Sequence, residues 1–120
     1  MKAAITANGK TYSSAVDRRF GRAAGFVIYD TETHSLEYKD NSQNLNAAQG
    51  AGVQAAQNVA DAGVQAVITG HCGPKAFHVL SQAGVEVYTT QAQTVEEAID
   101  LFRTGKLAKA SQADVEGHWI

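Results

Sequence analysis

A chain of 120 residues is long enough for one domain with its own core, and a net charge of −2 supplies no basic excess for a nucleic-acid or anionic-membrane surface. No apolar run approaches the length that spans a bilayer. The single cysteine excludes an internal disulfide and suits a reducing compartment, so the expected location is the cytoplasm.

Ala3 to Ala7 reads as a buried strand running into the turn signal Asn8-Gly9, and its apolar stretch is too short for a secretory signal. Residues 8 to 25 follow no period but contain Tyr12, Arg18, Arg19, Phe20 and Arg22. A loop of that length in a compact domain is functional or disordered. Val16 and Phe20 are placed to pin this one to the core, which favours order. Phe26 to Tyr29 is a second strand, residues 30 to 34 a turn, and Ser35 to Lys39 an alternating, half-exposed third strand, together a hairpin.

Asn44 to Ala62 reads as a helix with Asn44 or Asn46 as its cap. Its small residues, among them Ala48, Ala55 and Ala56, let it lie close on a sheet. Gly50 and Gly52 each cost about 1 kcal/mol against alanine inside a helix, so they point to close packing or to the approach of a ligand. Val64 to Thr69 is a fourth strand, and residues 74 to 83 a second helix with Pro74 in its first turn. Val85 to Tyr88 is a fifth strand. Thr94-Val95-Glu96-Glu97 is a capping box opening a third helix, with Val95, Ala98, Ile99 and Phe102 as its apolar face. Gly105 ends that helix. Residues 106 to 120 read as a loosely tied tail, with Leu107 and Trp119 as candidate docking points.

A hairpin followed by strand–helix units predicts a single α/β domain built as a three-layer α/β/α sandwich. Right-handed crossovers give a mixed five-stranded sheet in the order 3-2-1-4-5, with strand 2 antiparallel. Strands 1 and 4 are then parallel neighbours. The loops after them meet in one crevice, which sets Arg19 and Arg22 beside His71 and Cys72.

The chemistry of the chain is concentrated in Gly70-His71-Cys72-Gly73-Pro74-Lys75, at the carboxyl end of strand 4, where open α/β sheets bind ligands. Cys72 has two readings. It is a small buried hydrophobe, or an exposed thiol acidified by the helix N-terminus; the flanking glycines favour the second. His71 either caps the loop or serves as a ligand. The pair is too small a set for zinc, and one thiol does not hold an iron–sulfur cluster through four cysteines. A resident group therefore uses one or two protein ligands or brings its own. His78 falls off the apolar face of its helix and reads as solvated, while His34 and His118 lie in a turn and in the tail.

Arg19-Phe20-Gly21-Arg22, with Lys75 and the start of the second helix, makes the crevice locally positive on a mildly acidic chain. Arginine suits planar, bidentate anion contacts, so a compact anionic ligand is expected there. Phosphate-loop and dinucleotide fingerprints are absent. A thiol redox enzyme built on Cys72 lacks a resolving cysteine.

Several segments in order resemble one family. They are Asp17-x-Arg19-Phe20-Gly21-Arg22-Ala23 before Phe26-Val27-Ile28-Tyr29, Asn44, Gly50-Ala51-Gly52, and Gly63-Val64 leading to Ile68-Thr69-Gly70-x-x-Gly73-Pro74-x-Ala76, then Leu80 to Val87. This pattern resembles the dinitrogenase iron–molybdenum cofactor biosynthesis family over roughly residues 2 to 105. The resemblance implies a ribonuclease-H-like sandwich, and strand 1 lacks the acid that a nuclease of that fold carries. It implies a non-catalytic carrier of an anionic metal–sulfide cluster, and the single-domain relatives imply a molybdenum–copper sulfide. Such a cluster supplies its own sulfides, so one soft ligand, or none, is enough. The resemblance also implies P-loop ATPases as possible partners. Site residues expected from the crevice and the resemblance together are Arg19, Phe20, Gly21, Arg22, Gly50, Gly52, Gly70, His71, Cys72, Gly73, Pro74 and Lys75; Cys72 and His71 are candidate metal ligands on their own chemistry, which the resemblance does not require. The alternative is a regulatory interaction module without a cluster.

Overall fold

The computed structural model describes residues 1–41 and 50–110. Its elements are β1 (Lys2–Ala7), β2 (Gly25–Asp30), β3 (Leu36–Asp40), α1 (Ala51–Asp61), β4 (Ala66–Thr69), α2 (Pro74–Gln82), β5 (Glu86–Thr89), α3 (Val95–Arg103) and β6 (Ala108–Lys109). One sheet runs β3-β2-β1-β4-β5-β6. β2 is antiparallel to both β1 and β3, while β1, β4 and β5 are mutually parallel. The expected order 3-2-1-4-5 is present and gains one strand.

Strand β1 is the middle of the molecule. Ala3, Ala4, Ile5, Thr6 and Ala7 are all fully buried. Side chains alternate across a strand, so Ala4 and Val67 face one layer while Ala3, Ile5 and Ile68 face the other. The first layer is α1 and α2, through Ala55, Ala56, Val59, Ala76 and Leu80. The second is α3, through Val95, Ala98 and Ile99. Alanines on the central strand let both helical layers approach closely. The α3 stripe is the one read from sequence, although Phe102 is only half-buried.

Two expectations change. The helix expected from Asn44 begins at Ala51 among the described residues, because Gly50 takes a left-handed conformation, φ 79°, that a continuous helix does not contain. Asn44 and Asn46 lie outside the described residues. In addition, part of the supposed tail is a strand. β6 pairs antiparallel with β5, fixed by a 2.8 Å ion pair from Lys109 Nζ to Glu86 and by Ala110 N donating to Val87 O at 2.8 Å. This contact holds the Glu86 carboxyl below the usual carboxylate range, the Lys109 hydrogen bond being the main cause. Leu107 packs against the α3-side core, whereas Trp119 and His118 lie outside the described residues.

The long first loop is ordered, as Val16 and Phe20 suggested; they are 9% and 2% exposed. Backbone bonds zip it to the start of α3, with Val95 N donating to Ser14 O and Val16 N to Gln93 O, at 2.9 and 3.0 Å.

Candidate functional site

The carboxyl ends of β1, β4 and β5 open on the same edge of the sheet, and the loops leaving them are tied to one another. After β1 the chain returns along that strand, where Asp17 N donates to Thr6 O at 3.0 Å. It then runs parallel to the β4 exit. His71 N donates to Arg18 O at 2.7 Å, and Phe20 N donates to His71 O at 3.2 Å. The approach is so close that a Cβ on Gly70 would stand 2.8 Å from Arg18 Cα, which explains the glycine. The third loop joins where Thr90 N donates to Thr69 O at 2.9 Å.

Between these loops lies an open cleft of about 350 Å³, lined by Arg18, Gly70, His71, Thr89, Thr90 and Gln91. The expected meeting of the loops after strands 1 and 4 is present, and β5 supplies a further wall. Gly70 and His71 line the cleft directly. Arg18 is the arginine on its wall, while Arg19 reaches solvent, 72% exposed, with Nε 4.0 Å from Asp17 Oδ1.

The other expected residues fall nearby in different roles. Phe20 belongs to the core, its ring centroid 5.7 Å from that of Phe26. The 3-10 turn Phe20–Arg22 carries the chain onto the start of α1, where a Cβ on Gly21 would stand 2.8 Å from Gly52 Cα. Gly52 thus serves backbone packing between loop and helix, one of the two roles expected for it. Asn41, fully buried, secures this turn by donating from Nδ2 to Ala23 O at 2.9 Å. Arg22 is half-buried and Lys75 is exposed.

Cys72 corrects an expectation. It is 1% exposed, in the core cluster beneath α1 and α2, with its thiol directed at Gly73 O 3.8 Å away. In extended backbone neighbouring side chains point opposite ways. His71 lines the cleft, so Cys72 turns inward. The exposure read from its glycine neighbours is absent, and the buried-hydrophobe reading fits the structure.

Two helices, α1 and α2, start at this edge. α1 has Gly50 as its N-cap and α2 has Gly73; neither N-cap side chain bonds the helix, and neither first turn carries an acid. The two starts adjoin, a Cβ on Gly52 falling 3.4 Å from Ala76 Cβ. Pro74 opens α2, with Lys75 next to it. Residues 17–22, 70–75 and 89–91 hold three arginines and one lysine against one aspartate. Helix N-termini and guanidinium groups both favour anions. Among the described residues no three His, Cys, Asp or Glu side chains are grouped to chelate a metal ion.

Sequence reading missed Thr89, Thr90 and Gln91, and the fully buried Thr6 and Thr69 below them. The available signal was a threonine at or next to the end of an apolar strand three times, after Ile5, Ile68 and Tyr88.

The class this fold and site define is an α/β sandwich whose loops converge on an open cleft bearing an arginine, an imidazole and hydroxyl groups. The chain belongs to the dinitrogenase iron-molybdenum cofactor family, which it matches over residues 1–105. It is similar to the apo form of the orange protein from Desulfovibrio gigas, at 40% identity over 95% of this chain and 96% of that one, with a TM-score of 0.92. A putative NifB protein from Thermotoga is also 40% identical, covering 97% and 98% of the two chains at a TM-score of 0.84. An uncharacterised protein of Methanocaldococcus jannaschii is 37% identical over 92 residues, 75% of this chain and 78% of its own. No helix among the described residues is long and apolar enough to cross a membrane.

Proposed function

We propose that this protein is a non-catalytic carrier of an anionic metal–sulfide cluster of the molybdenum–copper sulfide type, held at the loops after β1, β4 and β5 without protein–metal bonds. The observation that carries this reading is the donor set. Arg18, Thr89, Gln91 and His71 surround the cleft with cations, hydroxyl, amide and imidazole groups, while the lone thiol lies in the core. That set fits a group whose metals are already saturated by sulfide and which needs charge neutralisation and hydrogen-bond donors. It fits an exposed bare copper ion poorly, since copper(I) prefers soft thiolate ligands. Membership of a family described by the iron-molybdenum cofactor, and likeness to the orange protein, support the same class of cargo.

The anion sits over Gly70, with the Arg18 guanidinium and the His71 ring on its walls. Arg19, Arg22, Lys75 and the glycine-capped N-termini of α1 and α2 supply positive potential from the adjoining side. Charge-assisted hydrogen bonds contribute roughly 1.5–3 kcal/mol each, so the loss of any one of them weakens retention about tenfold or more.

The test is reconstitution. Apoprotein given tetrathiomolybdate and copper(I) develops sulfide-to-metal charge-transfer bands that stay with the protein through gel filtration. A colourless, metal-free protein overturns the carrier reading and leaves the interaction module. Cys72→Ser retains the bands with reduced yield; complete loss of copper and colour from the folded variant would make the thiolate a true ligand.

A further inference from the structure

Beneath the cleft two hydroxyl groups sit wholly out of solvent, and anion binding by itself gives them no task. Thr6, the next-to-last residue of β1, and Thr69, the last of β4, lie on neighbouring parallel strands, and each is fully buried. Thr6 Oγ1 lies 2.6 Å from the Asp17 carbonyl oxygen and 3.0 Å from Thr69 Oγ1. A carbonyl only accepts, so the Thr6 hydroxyl donates to Asp17 O, and Thr69 Oγ1 accepts from the same hydroxyl as its second, longer partner. Asp17 N donates to Thr6 O at 3.0 Å, so Thr6 grips both polar backbone atoms of the residue that precedes Arg18.

The far side of Arg18 is gripped as well. Its carbonyl accepts from His71 N at 2.7 Å, and Asp17 Oδ1 accepts from Arg19 N at 2.9 Å. Gly70 lets the Arg18 backbone pass at a distance no other residue would permit. Arg18 itself is exposed and lines the cleft. A long side chain that starts from a fixed backbone loses less freedom on meeting a ligand, so fixing its base raises affinity without adding a contact.

We propose that the Thr6–Thr69 hydroxyl pair is a positioning device for Arg18, holding the loop from which the guanidinium reaches the cleft. Its geometry stands by itself, while its purpose rests on the anion-carrier reading above. Thr69 sits further from the loop than Thr6, since it acts only through the Thr6 hydroxyl. Removing the Thr69 hydroxyl therefore perturbs Arg18 less than removing that of Thr6.

Two measurements decide it. In the ligand-free protein, Thr6→Val speeds hydrogen exchange of the His71 amide relative to amides inside β4, Thr69→Val does so to a smaller extent, and Thr6→Ser restores the original rate. An unchanged His71 amide in Thr6→Val overturns the proposal whether or not any anion binds. The second measurement is a double-mutant cycle in tetrathiomolybdate affinity. Arg18→Gln weakens binding about tenfold or more. Thr6→Val weakens it roughly threefold or more with Arg18 present and not at all in the Arg18→Gln background. Equal losses in both backgrounds would mean that Thr6 supports the fold alone, and the proposal fails. If the wild-type protein binds no tetrathiomolybdate, the carrier reading loses its support, and the exchange rates still judge the positioning device.

Discussion

Three helices begin near the carboxyl edge of this sheet, and they begin differently. α3 closes its own end: Thr94 Oγ1 accepts from Glu97 N at 3.2 Å, Gln93 N donates to Glu97 Oε2 at 3.4 Å, and Glu96 and Glu97 place negative charge against the dipole. α1 and α2 have glycine N-caps, no capping side chain and no first-turn acid, and α2 carries Lys75 there instead. Caps and first-turn acids are cheap stabilising devices, each worth from a few tenths to about 2 kcal/mol. A chain that uses them at one helix and omits them at two adjoining ones leaves positive potential where its arginines gather. The difference teaches where stability has been left unclaimed, and the two glycine-capped ends lie beside the proposed cargo site.

Substitutions that erase this contrast are the most informative. Gly70→Ala acts on the open end with the largest effect. Its Cβ meets backbone atoms of Arg18 at 2.8–2.9 Å, which no rotamer change relieves. We expect a loss of about 1–3 kcal/mol in urea unfolding together with loss of cluster retention. Thr94→Ala removes the cap of the closed end. It costs about 1 kcal/mol of stability and leaves cluster retention unchanged, by the same unfolding and absorption measurements. Lys75→Glu gives α2 the first-turn charge of α3. It is expected to raise stability by about 0.3–1 kcal/mol while weakening anion binding, an opposition that a purely structural helix start does not produce.

The smallest effect lies at the β6 edge and follows pH. The Glu86 carboxyl is depressed by its hydrogen bond from Lys109, so its stabilising contribution is present above the ordinary carboxylate value and is lost as pH falls through the depressed one. Exchange of the Ala110 amide, corrected for intrinsic pH dependence, should therefore quicken in acid, and Glu86→Gln should abolish that response.

Much of the fold was legible because its signals are local. Alternation in residues 35–39, the Thr94 box and Pro74 after Gly73 each describe one element, and the handedness of crossovers orders the strands. The start of α1 was not legible. An alanine-rich stretch reads as helix, and the left-handed turn at Gly50 leaves no mark in composition. Nor was β6, two residues whose strand depends on the distant Glu86. At the site, the cluster of loops was readable from strand order. Which arginine turns toward the cleft was not, since Arg18, Arg19 and Arg22 are chemically equal and only the pairing with His71 separates them. Cys72 misled because flanking glycines suggest exposure, whereas side-chain direction is set by the alternation continuing out of β4.

The cargo decides between a carrier and an interaction module. Metal and sulfide analysis of the protein purified without oxygen from its natural source tests it most directly. Molybdenum and copper present with acid-labile sulfide, and released as salt is raised, is the predicted result. A protein that is folded, colourless and free of metal would contradict it.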